Sequence, residues 1–181
     1  MSAFPHLSAS FFARDTTAVA QALLGQLLVR ERGGRLLVGR IVETEAYLGP
    51  KDLACHTAKG RTPRTEAMFG APGLAYVYFV YGMHHCFNVV TGNGEAVLVR
   101  ALEPVHGLDG ARTDGPAKLC KVLGIDRALN AHPLFESPLW LAKGKSVERI
   151  AQGPRIGVDY AGRWAKRRLR FWDPQSAAVS R

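Results

Sequence analysis

Three charged residues stand where a folded chain rarely places charge. In Arg40-Ile41-Val42-Glu43-Thr44-Glu45-Ala46-Tyr47, the alternation of an extended chain puts Leu37, Ile41, Glu43, Glu45 and Tyr47 on one face. Two carboxylates and an aromatic ring would then continue an apolar line. A carboxylate buried there must be paired, hydrogen-bonded or protonated, which gives one of the two a dedicated role. The plainer alternative is a strand end that reaches solvent. Arg100 presents the same problem within Ala96-Val97-Leu98-Val99-Arg100-Ala101-Leu102, where it shares a face with Leu98 and Leu102. It cannot shed its charge, so a buried position requires a carboxylate or a ligand oxyanion. Glu43 or Glu45 would serve, unless the strand is an edge and Arg100 faces water.

Tyr76, Tyr78 and Tyr81 lie close together, with Gly82 after the last. Tyr76 and Tyr78 share a strand face, for which packing is the usual reason. Tyr81, beside a turn, could instead wedge into a base stack. Cys55-His56 and His84-His85-Cys86 suggest metal at first sight. Adjacent strand residues point to opposite faces, however, and no pair has ligand spacing, so no metal site is expected. The run Arg163 to Arg170 holds five basic residues in eight, either a solvated surface or a patch for phosphates.

The wider composition narrows the classes. The 181 residues carry 24 Lys and Arg against 15 Asp and Glu, a formal charge of +9, which favours polyanionic partners. No run approaches the ~20 apolar residues of a membrane span. The start MSAFPHLSASFFARD lacks a basic, then apolar, secretory pattern, and Cys55, Cys86 and Cys120 form no paired framework. Both features fit a cytoplasmic protein with reduced thiols.

The elements that must position these residues are legible in outline. Asp15 caps a helix through TTAVAQALL, with Gly25 near its end. QLLVR and RLLVGRIVETEAY are strands joined at Gly33-Gly34, and Gly49-Pro50 ends the second. KDLACHTAKGRTPRTEAMFGAPG has too many turn formers to be regular, and a loop of that length is usually functional. LAYVYFVYG, CFNVV and AVLVRALEP are three further strands, the last two joined by a turn at Asn93-Gly94. Asp114 is placed to cap a helix with Pro116 in its first turn, ending at Gly124, and Asp126 to cap a shorter one. PLWLA, RIGVDY and LRFW are late strands; KGKSVERIAQ is ambiguous. Without regular β-α-β alternation, this predicts one α+β domain over residues 1–181, with a mainly antiparallel curved sheet and flanking helices.

These residues together resemble the alkyladenine (methylpurine, 3-methyladenine) DNA glycosylase family. The match runs through RIVETEAYLGPKDLACHTAKGRTPR, MFGAPGLAYVYFVYGMHHCFNVV, AVLVRALEP, DGPAKLCKVLGID and RIGVDYAGRWAKRRLRFW, roughly residues 10 to 172. The resemblance implies a base-excision-repair enzyme that flips alkylated or deaminated purines from double-stranded DNA and hydrolyses the N-glycosidic bond. It would act in the cytoplasm on the nucleoid, as a monomer, with no metal or organic cofactor. Glu45 matches the base that activates water, and Arg100 the arginine that helps hold that water, with the Ile156 carbonyl as a further contact. Tyr47, His56 and Tyr78 match the residues that enclose the flipped base, and Asn88 the residue that discriminates against the guanine amino group. Tyr81 matches the side chain that enters the duplex, with Met83 beside it. No lysine falls in the matched set, which implies a monofunctional hydrolase without lyase activity. After Trp172 the chain (DPQSAAVSR) departs from the family's closing stretch, and His84-His85 replaces a common aromatic. Two rival readings are a non-enzymatic nucleic-acid-binding module on the same scaffold and an RNA-modifying or ribosome-associated protein. The first leaves a carboxylate aimed at an anionic ligand unexplained.

Overall fold

A computed structural model of the chain describes residues 4–180. The chain opens with α1 (Ala9–Phe12) and α2 (Thr16–Ala22), the latter capped as expected by Asp15, whose carboxylate accepts the Ala18 N–H at 3.0 Å. β1 (Leu27–Arg32) and β2 (Arg35–Tyr47) follow, turning at Gly33 and Gly34 with φ of 56° and 72°. That turn needs positive φ at both central residues, which glycine supplies without strain. β3 (Ala75–Val80), β4 (His84–Gly92) and β5 (Glu95–His106) form a meander, and Asn93-Gly94 makes its second turn with φ of 56° and 78°. Then come α3 (Pro116–Leu123), β6 (Phe135–Glu136), β7 (Leu139–Ala142), β8 (Ala151–Gly153) and β9 (Arg170–Trp172).

All strand pairs are antiparallel, in the order β3-β4-β5-β2-β1-β7-β6, with β9 joined to β2 and β8 to β9. The sheet is curled, and helices cover it, so the fold is α+β with a mainly antiparallel sheet. The main core lies between the sheet and its helices, where Val19, Ala20 and Leu23 meet Ile41 and Ala46, and Leu119 and Leu123 meet Phe87, Val97 and Val99. As expected, the segment after β2 is irregular and forms three short 3₁₀ turns, Gly49–Lys51, His56–Lys59 and Glu66–Phe69.

The central strand β2 carries the feature that builds the site. Along one edge it pairs with β5, but an extra residue, Val42, interrupts the ladder between Ile41↔Leu102 and Glu43↔Ala101. One step later the extra residue is Arg100, on β5, between Glu43↔Ala101 and Thr44↔Val99. Such bulges bend a strand and invert its alternation. The core face therefore passes from Ile41 to Thr44, whose hydroxyl donates to the Ala20 carbonyl of α2 at 2.8 Å, and on to Ala46. Opposite it, the core face passes from Leu102 to Val99 and Val97. This corrects two expectations: Ile41 does not share a face with Glu43 and Glu45, and Leu102 does not share one with Arg100. On its other edge, β2 exchanges β1 (through Arg40) for β9 (from Glu43) at the same place.

Two further expectations fail locally. RIGVDY is not a strand: β8 ends at Gly153, Gly157 adopts φ of 74°, and a 3₁₀ segment runs over Asp159–Lys166. The peptide N–H of Ile156 turns to a side chain instead of a ladder. Asp114 does not cap α3, since Gly115 occupies that position; the Asp114 carboxylate pairs with Arg112 at 3.1 Å and Lys118 at 3.2 Å. Pro116 and the left-handed Gly124 bound α3 as expected, and Asp126 caps a 3₁₀ turn over Arg127–Leu129.

Candidate active site

With the faces set by the two bulges, Glu43, Glu45 and Tyr47 turn away from the helices. Arg100 turns the same way from β5, beside Leu98. Glu45 is fully buried, and its carboxylate collects three partners. The Tyr47 hydroxyl donates to Oε2 at 2.7 Å, the Ile156 N–H donates to Oε1 at 2.8 Å, and Arg100 Nη1 lies 3.5 Å from Oε1. Burial still prevails over these donors, and pushes the Glu45 carboxyl up from its ordinary value. A carboxyl raised in this way is closer to neutrality as a proton acceptor, and so a stronger base once ionised.

Glu43 is as deeply buried, yet differently held. Arg100 Nε donates to its Oε1 at 3.1 Å, and Arg170 Nε donates to the same oxygen at 2.7 Å. The sequence left open which glutamate pairs with Arg100. The guanidinium in fact spans both, with its Nε on Glu43 and an Nη facing Glu45.

The three residues that hold the Glu45 carboxylate, Tyr47, Arg100 and Ile156, line a cavity of about 390 Å³, together with His56, Tyr78 and Asn88 among others. That volume suits a small, largely buried ligand. The strand meander and the irregular loop supply its walls. Tyr76 and Tyr78 share a face as expected, with ring centroids 5.5 Å apart, and His56 meets Tyr78 edge-on at 4.5 Å. His56 Nδ1 and the Tyr76 hydroxyl are 2.9 Å apart, and burial holds the imidazole down to about 4, neutral at physiological pH. Burial raises both tyrosines, Tyr76 to about 12, so both remain phenols. The Asn88 amide donates to the Tyr76 carbonyl at 3.1 Å, which orients it within the wall.

Tyr81 stands at the mouth, on the turn between β3 and β4, with 86% of its surface exposed. Met83, also on that turn, is 68% exposed and closes it by donating its N–H to the Val80 carbonyl at 3.2 Å. Tyr81 and Gly82 both have positive φ, 54° and 65°, in the three-residue loop between the paired Val80 and His84. Left-handed backbone costs a side chain with a Cβ on the order of 1 kcal/mol, so Tyr81 is held out at an energetic cost.

Across residues 10–177 the chain matches the family described as methylpurine-DNA glycosylase. A Myxococcus xanthus (strain DK1622) protein named "Putative 3-methyladenine DNA glycosylase" is 60% identical, over 97% of this chain and 93% of that protein. The chain belongs to the methylpurine-DNA glycosylase family. Proteins of the same name from Legionella pneumophila (strain Paris) and Methanocella arvoryzae are 48% and 46% identical, covering 94% and 98% of this chain and 96% of each relative.

This methylpurine-DNA glycosylase family member also has site residues that sequence reasoning missed. Arg155 is buried and makes a two-pronged ion pair with Asp52, at 2.6 and 2.9 Å, while donating to the Ala46 carbonyl at 3.0 Å. Its guanidinium carbon lies 4.6 Å from the centre of the Tyr47 ring. Asp52 in turn accepts the N–H groups of Leu48 and Ala54, each at 3.0 Å. One arginine thus ties the loop bearing His56, the strand bearing Tyr47 and the segment bearing Ile156. Tyr160, 73% exposed, lines the same cavity, and its hydroxyl donates to the Ala54 carbonyl of the irregular loop at 3.4 Å. Its presence in RIGVDY was visible, but an expected strand gave no reason to place it at a mouth.

Proposed function

We propose that this protein flips an alkylated or deaminated purine out of duplex DNA into the aromatic cavity and cleaves its N-glycosidic bond with water activated by Glu45. The observation that carries this reading is a fully buried carboxylate, held by Arg100 and Tyr47, two residues that line an aromatic cavity together with His56 and Tyr78. A base inside a duplex is out of reach, so extrusion must precede chemistry, at a cost of a few kcal/mol. Tyr81 offsets part of that cost by filling the gap left in the stack, with Met83 beside it.

In the bond-breaking step the sugar develops oxocarbenium character. The N-glycosidic electron pair leaves with the base. Water adds its oxygen to C1′ while Glu45 takes its proton, and a free base and an abasic site result. An ionised Glu45 also stabilises the positive sugar. Arg100 orients the water and opposes protonation of Glu45, and the Ile156 carbonyl supplies the remaining contact to water. A purine alkylated at N3 or N7 is already cationic and departs as a neutral molecule. Neutral bases such as hypoxanthine need a proton in addition. Asn88 tests the edge of the base at which guanine carries its amino group. No lysine falls in the set of residues matched to the family, and the reading is hydrolysis without Schiff-base chemistry. The exposed cations Arg163, Lys166, Arg167 and Arg168 are suited to the DNA backbone and supply sequence-independent affinity.

Duplexes bearing hypoxanthine or 7-methylguanine, incubated with the protein and then treated with alkali, test the whole reading. Strand breaks at the lesion only after alkali are expected; breaks without alkali would point to lyase chemistry, and none at all would end the proposal. Preference for structured RNA over such duplexes would favour the rival RNA role.

Two finer results are expected. Because burial raises the Glu45 carboxyl, its base form is lost as pH falls through a value above the ordinary 4.5. Single-turnover release of 7-methylguanine, which leaves without added protonation, should therefore show an acidic limb above that value; a rate that stays flat to pH 4.5 would rule it out. Tyr81→Ala should weaken duplex processing by the worth of one aromatic stack, about 1–3 kcal/mol or roughly 5- to 150-fold. The check is single-turnover release from duplex against single strand, where no gap needs filling.

A further inference from the structure

The segment that follows β9 is ordered against the back of the site by contacts of its own. The Asp173 N–H donates to the Val42 carbonyl at 2.9 Å, at the bulge itself, and its carboxylate receives Arg40 at 3.0 Å. Asp173 then folds the chain over by accepting the Gln175 N–H at 2.9 Å and the Ser176 N–H at 3.2 Å. The hydroxyl of Ser176 caps the next step, accepting the Ala178 N–H at 3.2 Å. Pro174 and Gln175 face solvent, but Ser180 is buried. This strap delivers Ser180 to the catalytic side of the sheet.

Ser180 meets Glu43 twice: its N–H donates to Oε2 at 2.7 Å and its hydroxyl to Oε1 at 2.9 Å. The same hydroxyl oxygen accepts Arg100 Nη2 at 3.3 Å. One hydroxyl thus uses its proton on the carboxylate and a lone pair on the guanidinium. Arg100 is a planar fork, and two of its nitrogens are now fixed: Nε on Glu43 and Nη2 on Ser180. Fixing two nitrogens of a plane aims the third, Nη1, which is the nitrogen 3.5 Å from Glu45 Oε1. Without Ser180 the guanidinium could pivot about its single bond to Glu43.

We propose that Ser180 is a positioning residue for water activation, whose hydroxyl completes the frame of Glu43 and Arg100 and aims Arg100 at Glu45 and its water. The inference rests on the Glu45 reading above. Ser180 is not among the residues that line the cavity, so its effect belongs to the chemical step and not to lesion capture. Misplacing a reacting group by about 1 Å can cost up to ~10²-fold.

The experiment compares wild type, Ser180→Ala, Ser180→Thr and Glu45→Gln in the full chain. Single-turnover release of hypoxanthine from duplex is measured together with lesion-duplex affinity and the urea midpoint. Ser180→Ala should slow release roughly 10- to 100-fold while lesion affinity stays near that of wild type. Ser180→Thr, which keeps both the donor and the acceptor, should restore most of the rate. Two results overturn the role: release by Ser180→Ala at the wild-type rate, or a loss in both Ser180 variants that tracks a falling urea midpoint and falling lesion affinity. The second would make the strap a purely structural clamp. If Glu45→Gln itself releases base at the wild-type rate, the water-activation reading fails first, and the positioning role fails with it.

Discussion

Glu45→Gln should release damaged base about 10²- to 10⁴-fold more slowly than wild type, the usual worth of a positioned general base. Lesion binding should survive, because Glu45 lies behind the cavity wall and Tyr47, His56 and Tyr78 remain. Stability should not fall, and the sign of the linkage says why. Burial raises the folded-state value of Glu45, so the acid form is the one the fold favours. The stability associated with that form is present at low pH and is lost as pH rises through the raised value. At neutral pH the ionised carboxylate is therefore a burden, which an uncharged amide of the same shape removes. Arg100 keeps Glu43 as its partner at 3.1 Å, so the substitution leaves no lone buried charge. A urea midpoint at or above wild type, with base release slowed by that factor, is the expected pair of results. Lost binding together with lost release would instead make Glu45 a structural residue.

Arg155→Met is expected to have the largest effect on stability. Both Arg155 and Asp52 are buried, and the side chains of the pair are fully shielded from water. Removing the cation leaves the Asp52 carboxylate with only the N–H groups of Leu48 and Ala54, and breaking one side of a buried pair costs about 3–5 kcal/mol. The Ala46 carbonyl loses its donor as well. Adding Asp52→Asn should recover part of the loss by neutralising the orphaned charge, so urea unfolding of the single and double variants checks the account. A cost below about 1 kcal/mol, the range of exposed pairs, would contradict it. The damage should also reach function, because Arg155 lies under Tyr47 and ties down the loop that carries His56.

Local chemistry was readable wherever one short stretch determines the outcome. Gly33-Gly34 and Asn93-Gly94 announce their hairpins, Asp15 and Asp126 their caps, and Pro116 and Gly124 the bounds of α3. Glu45 and Arg100 stood out because charge interrupts an apolar run. The faces were misread at Ile41 and Leu102, since a bulge shifts alternation without any residue type that signals it. Partnerships across the chain were also hidden: Asp52 and Arg155 are 103 positions apart, and Glu43 and Ser180 are 137 apart. RIGVDY has the composition of a strand, but the Ile156 N–H is taken by Glu45, a competition that only the assembled site creates.

The left-handed turn at Tyr81 has a practical corollary for anyone improving this protein. Asn adopts positive φ more readily than Tyr. Tyr81→Asn should thus raise the melting temperature of the free protein while it weakens processing of duplex lesions as Tyr81→Ala does. Directed evolution that selects for heat resistance alone would drift toward that change and discard the wedge. Screens for robust variants need a damaged duplex in the assay from the first round.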